Sequence, residues 1–303
     1  MHALSQTILQ DYQVRMKKAQ KTAFIELLQK ELPQQVTVET GGTFHSRNLI
    51  IGDLDHCKYI LAAHYDTASV LPFPNLLFPK NIPAYIGFCL LICIVFFVLM
   101  TALDILALQI VDHPLTISFV SLLLVVLLFG WVLFGKPNRH TANDNTSGVL
   151  TAIEALHDPA LKDNICVVLF DHEEMGLFGS AAFAKKHKQL LKDKLLFNLD
   201  CVGDGDHIML ILSKQAQAQQ DAITAAFSPE NDKTVLVEKS SHVLYPSDQS
   251  NFKNAVGVAA FNRHKLFGLY LDKIHTGKDT VCDENNITLL LHGFRRLTAQ
   301  NDR

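Results

Sequence analysis

Several features that would place this chain in a common class are absent from its sequence. Its 27 lysines and arginines nearly balance its 30 aspartates and glutamates, so it lacks the basic excess expected of a nucleic-acid-binding protein. We therefore expect no nucleic acid among its partners. Internal repeats and low-complexity tracts are also absent, which argues against a repeat architecture.

The cysteines lack the CxxC spacing that is typical of thiolate metal sites. Two of them fall in the hydrophobic block described below, and the others lie mostly in short apolar runs. This distribution predicts buried free thiols in a reducing compartment and argues against a disulfide framework. The six residues are Cys57, Cys89, Cys93, Cys166, Cys201 and Cys282.

Residues 1–31 contain no uninterrupted apolar stretch of the signal-peptide type. Their basic and apolar residues are spaced as in one amphipathic helix that ends near Pro33. We expect this helix to pack on the sheet of the protein. The alternative is a helix on a membrane surface that uses its basic residues.

Charge is missing altogether from two long stretches, residues 84–103 and 115–134. Each has about the ~20 residues that an apolar helix needs to cross a bilayer core. The stretches predict a transmembrane hairpin with helices at about 84–108 and 115–134, and the alternative is two buried core helices. Its turn contains Asp104, Asp112, His113 and Pro114.

The flanks of this hairpin predict its orientation. Lys80, Lys136 and Arg139 lie where the hairpin joins the rest of the chain, as do Tyr85 and Trp131. Basic residues at helix ends favour the cytoplasmic side, and aromatic residues favour the membrane interface. We expect a two-span membrane protein whose catalytic domain is cytoplasmic.

Elsewhere, apolar runs of strand length alternate with helical patterns. This alternation predicts an α/β fold with a predominantly parallel or mixed sheet and helices on both faces. Residues 1–70 and 140–303 would form one domain, with the connector and hairpin at 71–139 between them. Strands are predicted at 58–63, 165–170, 195–199, 208–212 and 256–261, and helices at 147–157, 177–191, 215–227 and 286–298.

Acidic and imidazole groups follow several predicted strands, and in such sheets ligands bind beyond the carboxyl ends of the strands. Two histidines and three carboxylates, one of them shared, would suit two zinc ions. Asp66 could fix the tautomer of His64. The segments are HYD at 64–66, ANDNTSG at 142–148, DHEE at 171–174, NLD at 198–200 and IHTGKDT at 274–280.

In this order, the five segments resemble the signature of the M28 family of zinc aminopeptidases. The resemblance implies a peptide substrate and two Zn²⁺ ions, and Co²⁺ or Mn²⁺ would also suit the ligands. It implies that Asp144 bridges the ions, with His64 and Asp200 on one of them. The other ion would take Glu174 and His275. Glu173 would be the general base of the hydrolysis, and Asp66 would support the catalytic site.

Three departures from the family pattern stand out. Many members have an oxyanion-stabilising tyrosine where this chain has Ile274, and Tyr245 is a candidate replacement. Gln249 stands where the element SDH has its histidine. The hairpin separates His64 from Asp144, which predicts an active site near the bilayer surface. Substrates could then be peptides at the membrane interface, or the hairpin could be a simple anchor.

Two other functions remain open at this stage. A glutaminyl-cyclase-like acyltransferase would use the same fold with one zinc ion, and a membrane receptor or scaffold could keep the fold without catalysis. The complete ligand set and Glu173 favour a membrane-anchored aminopeptidase. The sequence sets neither the preferred N-terminal residue nor the oligomeric state, and it leaves dipeptidase and carboxypeptidase activity as alternatives.

Overall fold

A computed structural model describes residues 1–110 and 113–300 of the chain. The strands are β1 Val36–Gly41, β2 Ser46–Ile51, β3 Tyr59–His64, β4 Ile165–Phe170, β5 Leu195–Leu199, β6 His207–Leu212, β7 Thr234–Lys239, β8 Ala255–His264 and β9 Gly268–Tyr270. The helices are α1 Ala3–Asp11, α2 Lys18–Glu31, α3 Ile82–Leu108, α4 Pro114–Phe134, α5 Gly148–His157, α6 Phe178–Lys186, α7 Gln220–Ala226 and α8 Glu284–Gln300.

The strands form one mixed sheet in the order β1-β2-β4-β3-β5-β8-β6-β7, and β9 pairs with β8. At its centre β3 runs parallel to both β4 and β5, and β5 runs parallel to β8. The carboxyl ends of β3, β4 and β5 therefore meet at one edge of the sheet. Antiparallel pairs add β1 and β2 on one side and β6 on the other.

Neighbouring side chains of a strand point to opposite faces of the sheet. The central strands are apolar on both faces, and helices cover both. On β3, Leu61 and Ala63 pack in a core that includes Val149 of α5 and other residues of α1, α2, α7 and α8. Ile60 and Ala62 face the other way, in a smaller core with Phe183 of α6. The predicted α/β class, with a mixed sheet and helices on both faces, is confirmed.

The sequence-based prediction missed β2 and the strands at the margins of the sheet. β1 is an edge strand in which only the first residue, Val36, is buried, so it lacks the continuous apolar run of a central strand. β7, with no fully buried residue, and the three-residue β9 were missed for the same reason. The helix predicted at 215–227 is shorter, since a 3₁₀ turn occupies Ala216–Gln219 before α7.

The single N-terminal helix predicted for residues 1–31 is wrong, because the chain forms α1 and α2 with an irregular segment between them. Arg15 in this segment is fully buried, and its Nε donates to the carbonyl oxygen of Tyr65 at 2.5 Å. Its Nη2 donates to the Thr146 hydroxyl at 3.1 Å. Burial lowers the pKa of Arg15 to about 10, against the charges of Asp66 and Asp144. A continuous helix could not deliver this side chain to those groups.

The hairpin helices α3 and α4 stand outside the core. α3, described along its whole length of 27 residues, buries none of its side chains. In the segment from Leu115 to Phe134, only 6% of the most apolar stretch is buried. Both helices are long and apolar enough to cross a membrane, and their exposure is unlike that of buried core helices. Asp112 of the predicted turn lies outside the described residues.

The cysteines are free thiols, as predicted, but not all of them are buried. Cys57, Cys166 and Cys201 are buried in the domain, and Cys282 is half-buried. Cys89 and Cys93 are exposed, which corrects the prediction, because α3 has no protein neighbour on most of its surface.

Candidate metal centre

The carboxyl edge of the central strands collects the predicted ligands. His64 is the last residue of β3, Asp200 directly follows β5, and residues 171–174 directly follow β4. Asp144 lies in the irregular segment Ala142–Ser147 before α5, and His275 lies in the loop between β9 and α8. Residues up to 211 positions apart in the sequence thus face one another because parallel strands end at the same edge.

Asp144 lies between the two histidines. Its Oδ1 is 3.3 Å from His64 Nε2, and its Oδ2 is 3.0 Å from His275 Nε2. Asp200 Oδ1 completes the first group at 3.6 Å from His64 Nε2, and Glu174 Oε2 completes the second at 3.1 Å from His275 Nε2. Within each group the candidate ligand atoms all lie within 4.8 Å of one another.

These residues fit zinc in both chemistry and spacing. Zinc binds imidazole nitrogen and carboxylate oxygen at ~2.0–2.2 Å in a tetrahedron, which places neighbouring ligand atoms about 3.3 Å apart. The separations around Asp144 match that spacing. Glu174 Oε1 is buried with no hydrogen-bond partner among the described residues, as expected of a ligand atom.

The charge balance of the site also favours cations. Burial alone would lower the pKa of His64, but Glu173, Asp144 and Asp200 together raise it well above its usual range. The carboxylates of Glu174 and Asp144 do the same for His275 against its burial. A metal ion must displace these protons, so metal binding is expected to release them.

The loop that carries Asp144 is held by its neighbours. The Asp279 carboxylate accepts the backbone N–H groups of Asn143 at 2.7 Å and of Asp144 at 3.0 Å. Sequence reasoning included Asp279 in the motif at 274–280 without a role. The signal that could have found it is its position, four residues after the candidate ligand His275 in the same short segment.

Asp66 contacts His64 through its backbone. The backbone carbonyl of Asp66, and not its side chain, is the hydrogen-bond partner of His64 Nδ1, at 3.1 Å. Its carboxylate is 3.7 Å from that nitrogen and instead accepts the backbone N–H groups of Glu173 at 3.1 Å and Glu174 at 3.3 Å. Asp66 thus contacts the backbone of both glutamates as well as the histidine ring.

Glu173 lies beside both metal groups. Together with His64 and Glu174 it forms a third cluster of candidate ligand atoms within 4.8 Å. Burial, reinforced by the charges of Glu174 and Asp248 and opposed by His64, raises the pKa of Glu173 well above its usual range. A carboxylate with a raised pKa accepts a proton more readily near neutral pH.

The residues that depart from the family pattern form a supporting layer. The Tyr245 hydroxyl donates to the backbone carbonyl of Asp200 at 3.1 Å, so this proton is engaged and the tyrosine positions Asp200. Gln249 donates to the Tyr245 carbonyl at 2.8 Å and accepts from Asn198 at 2.8 Å. Ile274 packs in the same small apolar cluster as Tyr245.

The profile of peptidase family M28 matches residues 129–295, more than half of the chain. A comparison with curated protein sequences found no match.

Solved structures share the fold at low sequence identity. The LapA aminopeptidase of Legionella pneumophila is 12% identical with a TM-score of 0.52, and the match covers 98% of this chain and 67% of that one. LapB from the same organism is 11% identical with a TM-score of 0.55, covering 98% and 70%. A glutaminyl cyclase from Macrostomum lignano is 11% identical, also with a TM-score of 0.55, covering 99% and 88%.

The structural likenesses establish a shared fold, and the sequence profile establishes descent. The profile spans the segments of Asp144, Glu173, Glu174, Asp200 and His275, whereas His64 lies before it. The chain therefore belongs to peptidase family M28, and it is a hydrolase of the metallopeptidase class.

Proposed function

We propose that this protein is a membrane-anchored aminopeptidase that hydrolyses the first peptide bond of its substrates with two zinc ions. The observation that carries the proposal is the position of Asp144, whose two carboxylate oxygens face one histidine each. A shared carboxylate between two N/O ligand groups is typical of two-metal hydrolases. Residues 1–70 and 140–303 would form the peptidase domain.

His64, Asp144 and Asp200 would hold one ion, and Asp144, Glu174 and His275 the other. The bound ions would supply Lewis acidity that activates water, polarises the scissile carbonyl group and binds the free α-amine of the substrate. Binding of the α-amine is what would restrict cleavage to the first residue.

Glu173 would act as the general base. Its raised pKa suits a group that takes a proton from the attacking water and returns it to the leaving amine. The Asp66 carboxylate accepts the backbone N–H of Glu173 and so holds the segment that carries this side chain. Asp66 would therefore be a positioning residue for both glutamates.

The hairpin would anchor the domain to a membrane. At ~1.5 Å per residue, the 27 residues of α3 and the 21 of α4 span about 40 Å and 31 Å, against ~30 Å for a bilayer core. Lys80, Lys136 and Arg139 at the domain end favour a cytoplasmic location of the domain.

The test is zinc content together with hydrolysis by detergent-purified protein, comparing wild type with Glu173→Gln. We expect two zinc ions per chain in both proteins and a loss of at least about 10³-fold in kcat for Glu173→Gln, since general-base catalysis supplies up to ~10⁴-fold. Glu26→Gln, an exposed glutamate of α2, is the matched control and should keep wild-type activity.

One zinc ion per chain with conversion of N-terminal glutamine to a cyclic product would favour the glutaminyl cyclase. No reaction on either substrate type, with metal bound, would favour a non-catalytic receptor or scaffold.

A further inference from the structure

A small cavity of about 210 Å³ adjoins the metal centre. Glu174 and His275, which belong to one candidate metal group, line it together with Asp66. The cavity is smaller than the ~300–1,000 Å³ of pockets that enclose whole drug-sized ligands. Its size therefore suits one side chain of a bound substrate.

Another part of this cavity is apolar and is built by the hairpin. Residues 132–134, in the last turn of α4, line it together with Leu71, which lies in the connector to α3. Met175, the residue after Glu174, contributes a further apolar surface. An apolar wall binds apolar groups by removing their surface from water. The cavity thus joins the candidate reaction centre to an apolar recess.

Hydrogen bonds hold the end of α4 in this position. The Ser69 hydroxyl contacts the carbonyl oxygen of Val132, as well as that of Trp131 at 3.3 Å. The backbone N–H of Val70 donates to the carbonyl oxygen of Lys136 at 2.9 Å. The segment at 69–70 follows β3 by a few residues, so the hairpin is joined to the strand that ends in His64.

Both connectors of the hairpin also contact the loop that carries His275. The backbone N–H of Leu71 donates to the carbonyl oxygen of His275 at 3.0 Å. The side-chain amide of Asn138 donates to the carbonyl oxygen of Thr276 at 3.0 Å. The apolar wall and the candidate ligand therefore belong to one hydrogen-bonded unit, which gives the wall a defined position relative to the metal site.

We propose that residues 132–134 form a specificity pocket for an apolar side chain of the substrate, on a residue next to the cleaved bond. The proposal rests on the proposed peptidase function and gives the hairpin a second role beside anchoring. Trp131 and Lys136 flank the pocket, and residues of these types favour the membrane interface. The pocket would receive apolar side chains at the surface of the bilayer.

The test compares Phe134→Ala with Phe129→Ala. The two phenylalanines lie on α4 and are 64% and 65% exposed, but Phe134 lines the cavity and Phe129 does not. Short peptides with Leu, Phe or Ala at the first or second position are the probes. We expect Phe134→Ala to lower the ratio of kcat/KM for Leu and Phe over Ala peptides about tenfold, at one of the two positions. Phe129→Ala should keep the wild-type ratio.

A second variant protects the test against a folding defect. Val132→Phe would fill the recess and should shift the preference toward Ala peptides, with zinc content unchanged. If the wild type is active and Phe134→Ala changes kcat/KM equally for all peptides, or for none, the specificity pocket is overturned. The proposed peptidase function would then still stand.

A wild type that cleaves no peptide would overturn the proposed function. Peptide binding to the zinc-loaded protein can be measured through the fluorescence emission of Trp131. This measurement would then test the pocket independently of cleavage. Tighter binding of Leu than Ala peptides that depends on Phe134 would support it, and binding without that dependence would overturn it.

Discussion

At the scale of single residues, Asp279 supports the segment that carries Asp144, the proposed bridging ligand. It accepts the backbone N–H groups of Asn143 and Asp144, and it is buried. Burial, reinforced by the charge of Asp144, raises the pKa of Asp279 to about 7, while the two N–H groups oppose the shift. We expect the orientation of Asp144 toward both histidines to depend on this contact.

We predict that Asp279→Ala weakens zinc binding by about 10–100-fold, because groups that orient ligands have effects of that size. Asp279→Asn keeps one acceptor atom, and its zinc affinity should lie between those of Asp279→Ala and the wild type. Zinc affinity is measured by competition with a chromophoric chelator, and Asp221→Ala on the exposed face of α7 is the control. Wild-type affinity in Asp279→Ala would show that the loop holds Asp144 by itself.

Asp248 is a buried carboxyl group near the site that lowers the stability of the fold when it is ionised. It is fully buried, and neither carboxylate oxygen accepts a hydrogen bond from the described residues, since the nearby Ser180 hydroxyl donates to Leu177 at 3.1 Å. Burial, reinforced by the charges of Asp66 and Asp200, raises the pKa of Asp248 to about 7.

The raised pKa of Asp248 makes the stability of the folded protein depend on pH. Between about pH 4 and pH 7 the folded protein keeps the proton of Asp248 while the unfolded chain loses it, so stability falls as the pH rises. We predict that Asp248→Asn raises the free energy of unfolding of metal-free protein at pH 8 by on the order of 2 kcal/mol.

The check is chemical denaturation at pH 4 and pH 8. The gain from Asp248→Asn should vanish at about pH 4, where wild-type Asp248 is also neutral when folded. A variant that is less stable than wild type at both values would contradict the prediction.

At the scale of elements, the end of α4 lines the cavity, and the residues after it pair with the domain. Trp131 precedes the residues that line the cavity, and Lys136 follows them within the segment that pairs with the domain. The amphipathic Trp131 ring suits the headgroup level of a bilayer. If α4 enters a bilayer as proposed, we expect the depth of its last turn to determine whether the cavity opens at the membrane surface.

Trp131 is the only tryptophan of the chain and can report that depth. In vesicles with spin-labelled lipids, we predict stronger quenching of its fluorescence by a label near the headgroups than by one deep in the acyl chains. Trp131→Phe with Leu127→Trp moves the reporter about one turn inward and should reverse the order. Quenching by neither label would mean that the hairpin does not enter the bilayer.

At the scale of the whole molecule, the hairpin interrupts the domain without carrying its core. His64 is fixed by β3, and Asp144 by Asp279, and neither contact involves α3 or α4. The connectors do contact the site, through Leu71 and Asn138. A deletion should therefore spare the connectors and remove only the helices.

We predict that replacing residues 82–134 with a flexible loop of on the order of ten residues gives a water-soluble protein with the wild-type zinc content. Loop closure costs little extra free energy over this range of lengths. Solubility without detergent and metal analysis are the measurements. A soluble product that has lost its zinc would show that the hairpin is needed to form the metal site.

Features that depend on local composition could be predicted from the sequence. The hairpin follows from two uncharged stretches, and β4 and β5 follow from continuous apolar runs with the predicted bounds. The α/β class follows from their alternation with helices, and the candidate ligands follow from the order of five short segments. Each of these signals can be detected from residue types and their order along the chain, so no knowledge of packing is needed.

Features that depend on contacts between distant residues were decided by the tertiary structure alone. In the segment between α1 and α2, Arg15 donates hydrogen bonds to Tyr65 and Thr146. The support of Asp144 by Asp279 and the hairpin wall of the cavity likewise join segments far apart in sequence. A buried polar group takes the partner that folding brings within hydrogen-bond distance, and no local pattern in the sequence records which partner that is.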